Sequence, residues 1–222
     1  MNVSEALSSR ITCRAFLPDP VGAETVRSII DMARQAPSGG NLQPWNLHVM
    51  SGAPLAALLD DVHQQMQVTP RGQALEYNIY PPNLKDPYEA RRFKCGEDMY
   101  ATVGIERSDK AGRIAQFQKN FGFFGAPVGM FVYLDRTMGP PQWADVGIFI
   151  QSVLLLAREF GLHCCSQEAW AQWHETVAAH VNPPAEWMLF CGIGIGYMDH
   201  EAPINSLRTD RASLDEIATF HF

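Results

Sequence analysis

The run Ala36-Pro37-Ser38-Gly39-Gly40-Asn41-Leu42-Gln43-Pro44-Trp45 limits the fold of this chain more than any other ten residues. It separates two different periodicities. Upstream, Val26, Ile29, Ile30 and Ala33 recur at i, i+3, i+4 and i+7, which predicts a helix over 23–35 with one buried stripe. Downstream, Trp45, Leu47 and Val49 alternate with Asn46, His48 and Met50, the period of a strand. Pro37 and the Gly39-Gly40 pair stop the helix. The small residues and two amides that remain suit a backbone pressed against a flat polar ring.

Around this turn the chain reads as long helices and few strands. Asn2 and Glu5 form a capping box for a short helix ending near Ser9. The segment Phe16-Leu17-Pro18-Asp19-Pro20 is extended, because residues before proline avoid the helical region. A helix over 54–67 carries Leu55, Leu58, Leu59 and Val62 on one side. Prolines at 70, 81, 82 and 87 break regular structure over 68–87. Helices follow from Tyr88 to Gly104, bearing Arg91, Arg92 and Lys94, and from a cap at Ser108 to about Phe121. Strands are expected at Val128–Leu134, Leu162–Ser166 and Trp187–Tyr197. Between them lie a largely apolar helix over 142–160, too apolar for one exposed side, and a helix from Glu168 to His180. A short helix around 215–220 closes the tail. The order implies an α+β or α/β fold in one domain, 1–222, with an excursion at about 68–96.

Composition narrows the function. Charged residues are 18% of the chain, below the roughly 25% of soluble domains, so covered surface and an oligomer are expected. A net charge of −7 argues against general affinity for nucleic acid or anionic membranes. No apolar run reaches transmembrane length, and MNVSEALSSR has no secretory pattern. Five cysteines fit no disulfide framework and read as reduced thiols of a cytoplasmic protein. Vicinal Cys164-Cys165 reads as two small residues of a buried strand rather than a redox pair.

Three clusters suit a phosphate-bearing ring system. Arg10-Ile11-Thr12-Cys13-Arg14 offers two guanidiniums and a hydroxyl. The turn around Ser38 offers backbone and amide groups. The tail Asn205-Ser206-Leu207-Arg208-Thr209-Asp210-Arg211 adds two more guanidiniums. Each cluster alone is weak, since arginines at such spacings are usually a solvated face. Their order and separation together are much more specific.

On these residues the chain resembles the FMN-dependent nitroreductase family along nearly its whole length. Arg10 to Pro18 matches the opening Arg-x-Ser-x-Arg segment, and Pro37 to Trp45 the Pro-Ser-x-x-Asn-x-Gln-Pro-Trp turn. Phe124-Gly125-Ala126-Pro127, Trp143 with Asp145-Val146-Gly147, and Gly161-Leu162-His163 continue the match. The stretch Tyr80-Pro81-Pro82-Asn83-Leu84, with Pro87-Tyr88 and Arg91-Arg92, resembles the subgroup that reduces nitroaromatic compounds. The resemblance implies a three-layer α/β/α sandwich with a mostly antiparallel central sheet, long helices and an extended C-terminal tail. It also implies a homodimer with two shared FMN sites. Arg10, Ile11, Thr12 and Arg14 would lie on FMN, Arg10 and Arg14 holding its phosphate or ribityl chain, with Arg208 or, preferably, Arg211 completing the phosphate site. Pro37, Ser38, Gly39 and Asn41 would come from the other subunit. Ser166, Gln167 and Glu168 would lie at the ring's N5 edge, where donors stabilise negative charge, and Gln73 and Asn83 near the substrate face. Ile11 stands where the family often has Arg or His, so one polar contact is missing.

The implied activity is ping-pong reduction of nitroaromatic or quinone substrates by NAD(P)H. The flavin carries the chemistry, and no side chain is required as acid or base. Two other readings keep the site: the same fold with specialised chemistry such as dehalogenation or flavin destruction, or a flavin-binding protein without turnover. Phe117, Phe121, Phe123 and Phe124 read either as a wall for flat substrates or as core. Other motifs are set aside. Gly192-Ile193-Gly194-Ile195-Gly196 lacks the offset and following helix of a dinucleotide loop, and reads as a strand thinned for close packing. No metal-ligand spacing is present, so no zinc site is expected. Trp170 and Trp173 read as packing residues.

Overall fold

The computed structural model describes all 222 residues. Four strands form one antiparallel sheet in the order β1-β2-β4-β3. They are β1 (Asn46–Ser51), β2 (Val128–Asp135), β3 (His163–Gln167) and β4 (Trp187–Gly196). Eight α-helices surround the sheet: α1 (Val3–Ser9), α2 (Ala23–Ala33), α3 (Gly52–Val68), α4 (Tyr88–Thr102), α5 (Lys110–Gln118), α6 (Pro140–Glu159), α7 (His174–Val181) and α8 (Leu214–Ile217). None is long and apolar enough to cross a membrane.

Side-chain alternation along β2 builds two cores. Met130, Val132 and Leu134 face one way, onto Ile29 of α2 and Phe149 and Val153 of α6. Phe131 and Tyr133 face the other way, onto Leu58 of α3, Trp170 and Val177 of α7. The sheet is thus covered on both sides, the three-layer sandwich expected, and β2 is buried at every position but its last. A bulge between Val132 and Tyr133 leaves Phe190 of β4 outside the pairing. Its freed carbonyl accepts a hydrogen bond from the Tyr77 hydroxyl, whose pKa is pushed up by burial.

Several expected boundaries move. Asp109, not Ser108, caps α5: its side chain accepts from Gly112 N at 2.8 Å. That helix ends at Gln118, and residues 119–125 tighten into a 3₁₀ segment with Phe123 and Phe124 at positive φ. The helix expected from Glu168 to His180 is divided into a 3₁₀ segment, Glu168–Trp173, and α7. The break seats Trp170 against β4, where Gly192 leaves space: a Cβ there would lie 2.9 Å from Trp170 Cγ. A Cβ at Gly196 would lie 2.6 Å from Pro127 Cδ, and one at Gly194 3.2 Å from Ala126 Cβ, so the glycine-rich strand is a packing device.

The excursion has internal order. Residues 69–87 contain no helix or strand, yet Gln73, Glu76 and Tyr77 fasten them to the body. The Gln73 Oε1 accepts from Glu175 N (2.9 Å) and Thr176 N (3.4 Å), so it caps α7 from a distant segment. Its Nε2 donates to Thr176 Oγ1 at 2.8 Å. Glu76 pairs with Arg136.

Candidate active site

The segment after α1 runs beside β3 like a short added strand. Thr12 bridges Cys164 in parallel, and Cys13 N donates to Cys164 O at 3.0 Å. Strand alternation then sorts the segment. Ile11 and Cys13 turn inward, where they pack with Met198, and Thr12 and Arg14 stay half-exposed. The Ile11 side chain is therefore core, so only its backbone is free to face a cofactor, and its burial fits an apolar residue at this position.

Asn205 locks this segment. Its side chain is buried, with 4% exposure. Oδ1 accepts from Arg14 N at 2.8 Å, and Nδ2 donates to Ala15 O and Asp199 O, both at 2.8 Å. The Asn205 carbonyl accepts from Arg208 Nη1 at 3.0 Å. One side chain thus brings the opening segment and the tail together. Sequence reading placed Asn205 only within the tail cluster; no local pattern marks it.

Arg14, Ser166, Gln167 and Glu168 line one cleft of about 620 Å³. Its walls include Tyr80, Tyr100, Phe117 and Phe124, with Asn78, Arg92, Gln116 and Asn120 between them. The four phenylalanines therefore divide: Phe117 and Phe124 meet the cleft, whereas Phe121 and Phe123 pack against Trp170 in the core. Gln167 Nε2 donates to Asn120 O at 2.8 Å. Its Oε1 is buried without a partner, as is Ser166 Oγ. Buried polar atoms of this kind are costly unless something else satisfies them.

The arginines share one property. Arg10, Arg14, Arg208 and Arg211 form no ion pair with any carboxylate of the chain, although acidic residues outnumber basic ones 24 to 17. Their placement differs, however. Arg208 sits against Asn205, whereas Arg211 bonds to Thr209 and Asp210 of its own segment and lies with Arg91 and Lys94 at α4. The geometry favours Arg208, not Arg211, beside Arg14.

Near Arg208, Arg158 donates to Leu162 O at 2.7 Å and lies 3.3 Å from His163 Nδ1. Burial, then Arg158, lowers the His163 pKa to about 4, so the ring is neutral at neutral pH. Burial pushes Cys13 up to about 11 and Cys165 to about 12, and raises Cys164 further. None of these thiols is a thiolate nucleophile at neutral pH.

The remaining expected site residues are elsewhere. Gln73 is committed to α7 and absent from the cleft, and Asn83 is exposed outside the cleft lining. In the excursion it is Asn78 and Tyr80 that reach the cleft. Pro37, Ser38, Gly39 and Asn41 also do not line it. Their turn is held on α6 by Gly39 N donating to Asp145 Oδ2 (3.2 Å), and closed by Gln43 N donating to Ser38 Oγ (2.9 Å). Gly40, Asn41 and Gln43 all have positive φ there. No group of metal-ligating side chains is present.

Comparison with known proteins gives the family. The profile described as "Nitroreductase family" matches residues 7–197. A 4-nitrobenzoate reductase of Pseudomonas putida is 37% identical over 208 residues, 92% of this chain and 89% of that protein. A nitrobenzene nitroreductase of Ectopseudomonas oleovorans is 30% identical over 98% of this chain and 96% of its own length. Among solved structures, the FMN and NADPH-dependent nitroreductase NfnB of a Sphingopyxis strain is 46% identical. It covers both chains completely with a TM-score of 0.96. The extent of these matches places the chain in the nitroreductase family.

Proposed function

We propose that the chain is an FMN-dependent oxidoreductase that uses NAD(P)H to reduce nitroaromatic compounds or quinones by a ping-pong cycle in one cleft. The carrying observation is the meeting of Arg14 with Ser166, Gln167 and Glu168 on a cleft with aromatic walls. The residues fit FMN on two counts. Arg10, Arg14 and Arg208 have no internal anion, and a phosphate supplies one. Ser166 Oγ and Gln167 Oε1 lack partners at the cleft, and a polar heterocycle supplies them.

In this reading Arg10, Thr12, Arg14 and Arg208 hold the phosphate and ribityl chain. Ser166, Gln167 and Glu168 meet the ring edge. When bound, FMN supplies the hydride and electron chemistry. Phe117, Phe124 and Tyr80 orient a flat acceptor and exclude water. The first balanced turnover consumes one NAD(P)H and one proton, converts a nitro group to nitroso, and releases NAD(P)⁺ and water. No side chain is needed as acid or base.

Pro37, Ser38, Gly39 and Asn41 serve the site of a second copy in a homodimer. Two observations support that role. They lie off the cleft of their own chain, and the neighbouring outer face of α6 exposes Ala144, Gly147 and Ile148. Five free thiols support a reducing, cytoplasmic setting.

The test is flavin retention followed by redox cycling. Protein incubated with FMN and desalted should stay yellow and elute as a dimer. It should bleach anaerobically with NADPH or NADH and regain colour with nitrobenzene. A colourless protein after desalting would overturn the flavin reading. A yellow protein that no nicotinamide bleaches would overturn the enzymatic one.

A further inference from the structure

Helix α4 carries three basic side chains within one turn, and two are neutralised. Arg91 pairs with Glu216 at 3.1 Å, and Lys94 pairs with Asp98 and Asp210 at 2.6 and 2.9 Å. On the same side of the molecule, Arg113 forms a two-point bond with Glu97 at 2.6 and 2.9 Å. Arg92 differs from all three. It makes no ion pair and no hydrogen bond within the chain, and its guanidinium lies 3.8 Å over the Tyr80 ring. That stacking fixes the plane of the fork and leaves its N–H donors unused. Arg92 and Tyr80 both line the cleft.

A second observation points to a ligand at the same place. Gln116 lines the cleft, and its side-chain amide makes no hydrogen bond within the chain. That amide is free to meet a bound group. A preoriented guanidinium, a free amide and aromatic walls together suit a flat molecule bearing an anionic oxygen group. The planar fork matches a carboxylate in two-point geometry.

We propose that Arg92 is the anion-recognition residue of this cleft, and that its preferred acceptors are nitroarenes carrying a carboxylate. The proposal rests on the reading above that acceptors bind in this cleft. Arg92 then contributes to choice among acceptors rather than to the redox step. A carboxylate held by Arg92 leaves the ring and its nitro end to the aromatic-walled cleft. Neutral nitroarenes enter without this anchor.

The experiment compares wild type with Arg92→Met, which keeps an apolar stem, and Arg92→Lys, which keeps only a point charge. The kcat/KM values for 4-nitrobenzoate and nitrobenzene are measured with each, and with NADPH and NADH in turn. Benzoate and benzamide binding to the FMN-loaded protein is followed by calorimetry. A charge-assisted pair at this exposed guanidinium predicts that Arg92→Met lowers the 4-nitrobenzoate to nitrobenzene selectivity ratio about threefold to tenfold. Arg92→Lys should fall between, and benzoate should lose affinity with benzamide little changed. Equal losses for both nitroarenes would make Arg92 structural and overturn the proposal. A collapse confined to NADPH over NADH would assign the guanidinium to the nucleotide phosphate, and loss of FMN from Arg92→Met would assign it to the flavin. Either result overturns the proposal. The calorimetric arm separates this idea from the activity reading. Arg92-dependent benzoate binding without any nitroarene turnover would sink the activity and keep the anion site. Nitrobenzene turnover without Arg92-dependent benzoate binding would do the reverse.

Discussion

Replacing Asn205 by alanine should weaken both the fold and the proposed FMN site. Three side-chain hydrogen bonds of 2.8 Å are lost, to Arg14 N, Ala15 O and Asp199 O, in a position only 4% exposed. At about 1 kcal/mol net for each bond, the loss of stability is about 3 kcal/mol. The consequence for ligand binding follows from geometry. The Asn205 side chain fixes the backbone of Arg14 and anchors the segment whose backbone carbonyl receives Arg208; alanine keeps that carbonyl but loosens its position. Loosening two phosphate-facing guanidiniums should weaken FMN by about tenfold, equivalent to about 1.4 kcal/mol. Asn205→Asp provides the control of shape. It keeps the acceptor for Arg14 N but turns a carboxylate oxygen toward two carbonyls, so it should destabilise at least as much as alanine. Urea denaturation at constant m and fluorescence titration of FMN would measure both effects. An aspartate variant clearly more stable than the alanine variant would refute the assigned donor and acceptor roles. Unchanged FMN affinity in both would refute the coupling to the arginines.

Three further outcomes are expected. Gln73→Ala should cost about 1–2 kcal/mol, the value of a lost helix cap, with FMN affinity unaltered; a weakened flavin would restore Gln73 to the site. Gly192→Ala should cost about 1–3 kcal/mol, because the added Cβ falls on the fully buried Trp170 ring; stabilisation in denaturant melts would show that the ring moves freely. His163 has a folded pKa of about 4 against an ordinary 6.5, so the unfolded chain binds the extra proton between those values. Its contribution, about 3 kcal/mol at most, is present above pH about 6.5 and is lost as pH falls toward 4. In His163→Gln that part of the slope of stability against pH should vanish, and parallel wild-type and variant slopes would count against it.

The periodic parts of the chain were the most legible. The 3.6-residue stripe of α2 appears at the expected place because it reports one face meeting one core. Strand β1 lies where its alternation predicts, but both its faces meet a core: Leu47 packs on one side, Met50 is buried on the other, and Val49 is exposed. The glycine-rich β4 and the paired cysteines of β3 could likewise be read as packing, since they carried no ligand spacing. Boundaries set by long-range contacts were less legible. The break between the 3₁₀ segment and α7 depends on Trp170 fitting against Gly192, which no local propensity encodes. Gln73 looked like a site residue because its loop was suspected of facing substrate. The fold spends its amide on a helix end 102 residues away.

By itself, the sequence determined the order of helices and strands, the apolar faces, and the three arginine- and amide-bearing clusters. These are local properties, fixed by side-chain period, by proline and glycine, and by residue chemistry. Tertiary structure decided which members of the clusters come together. Pairing of Thr12 and Cys13 with β3 turned Arg14 outward and buried Ile11. Asn205 drew Arg208 toward that segment, while Arg211 turned back on itself. The Tyr80 ring and the carboxylates around α4 left Arg92 as the unpaired cation of the helix's basic triplet. Such outcomes depend on hydrogen bonds and ion pairs between residues far apart in the chain, and neither composition nor periodicity records which partners will meet.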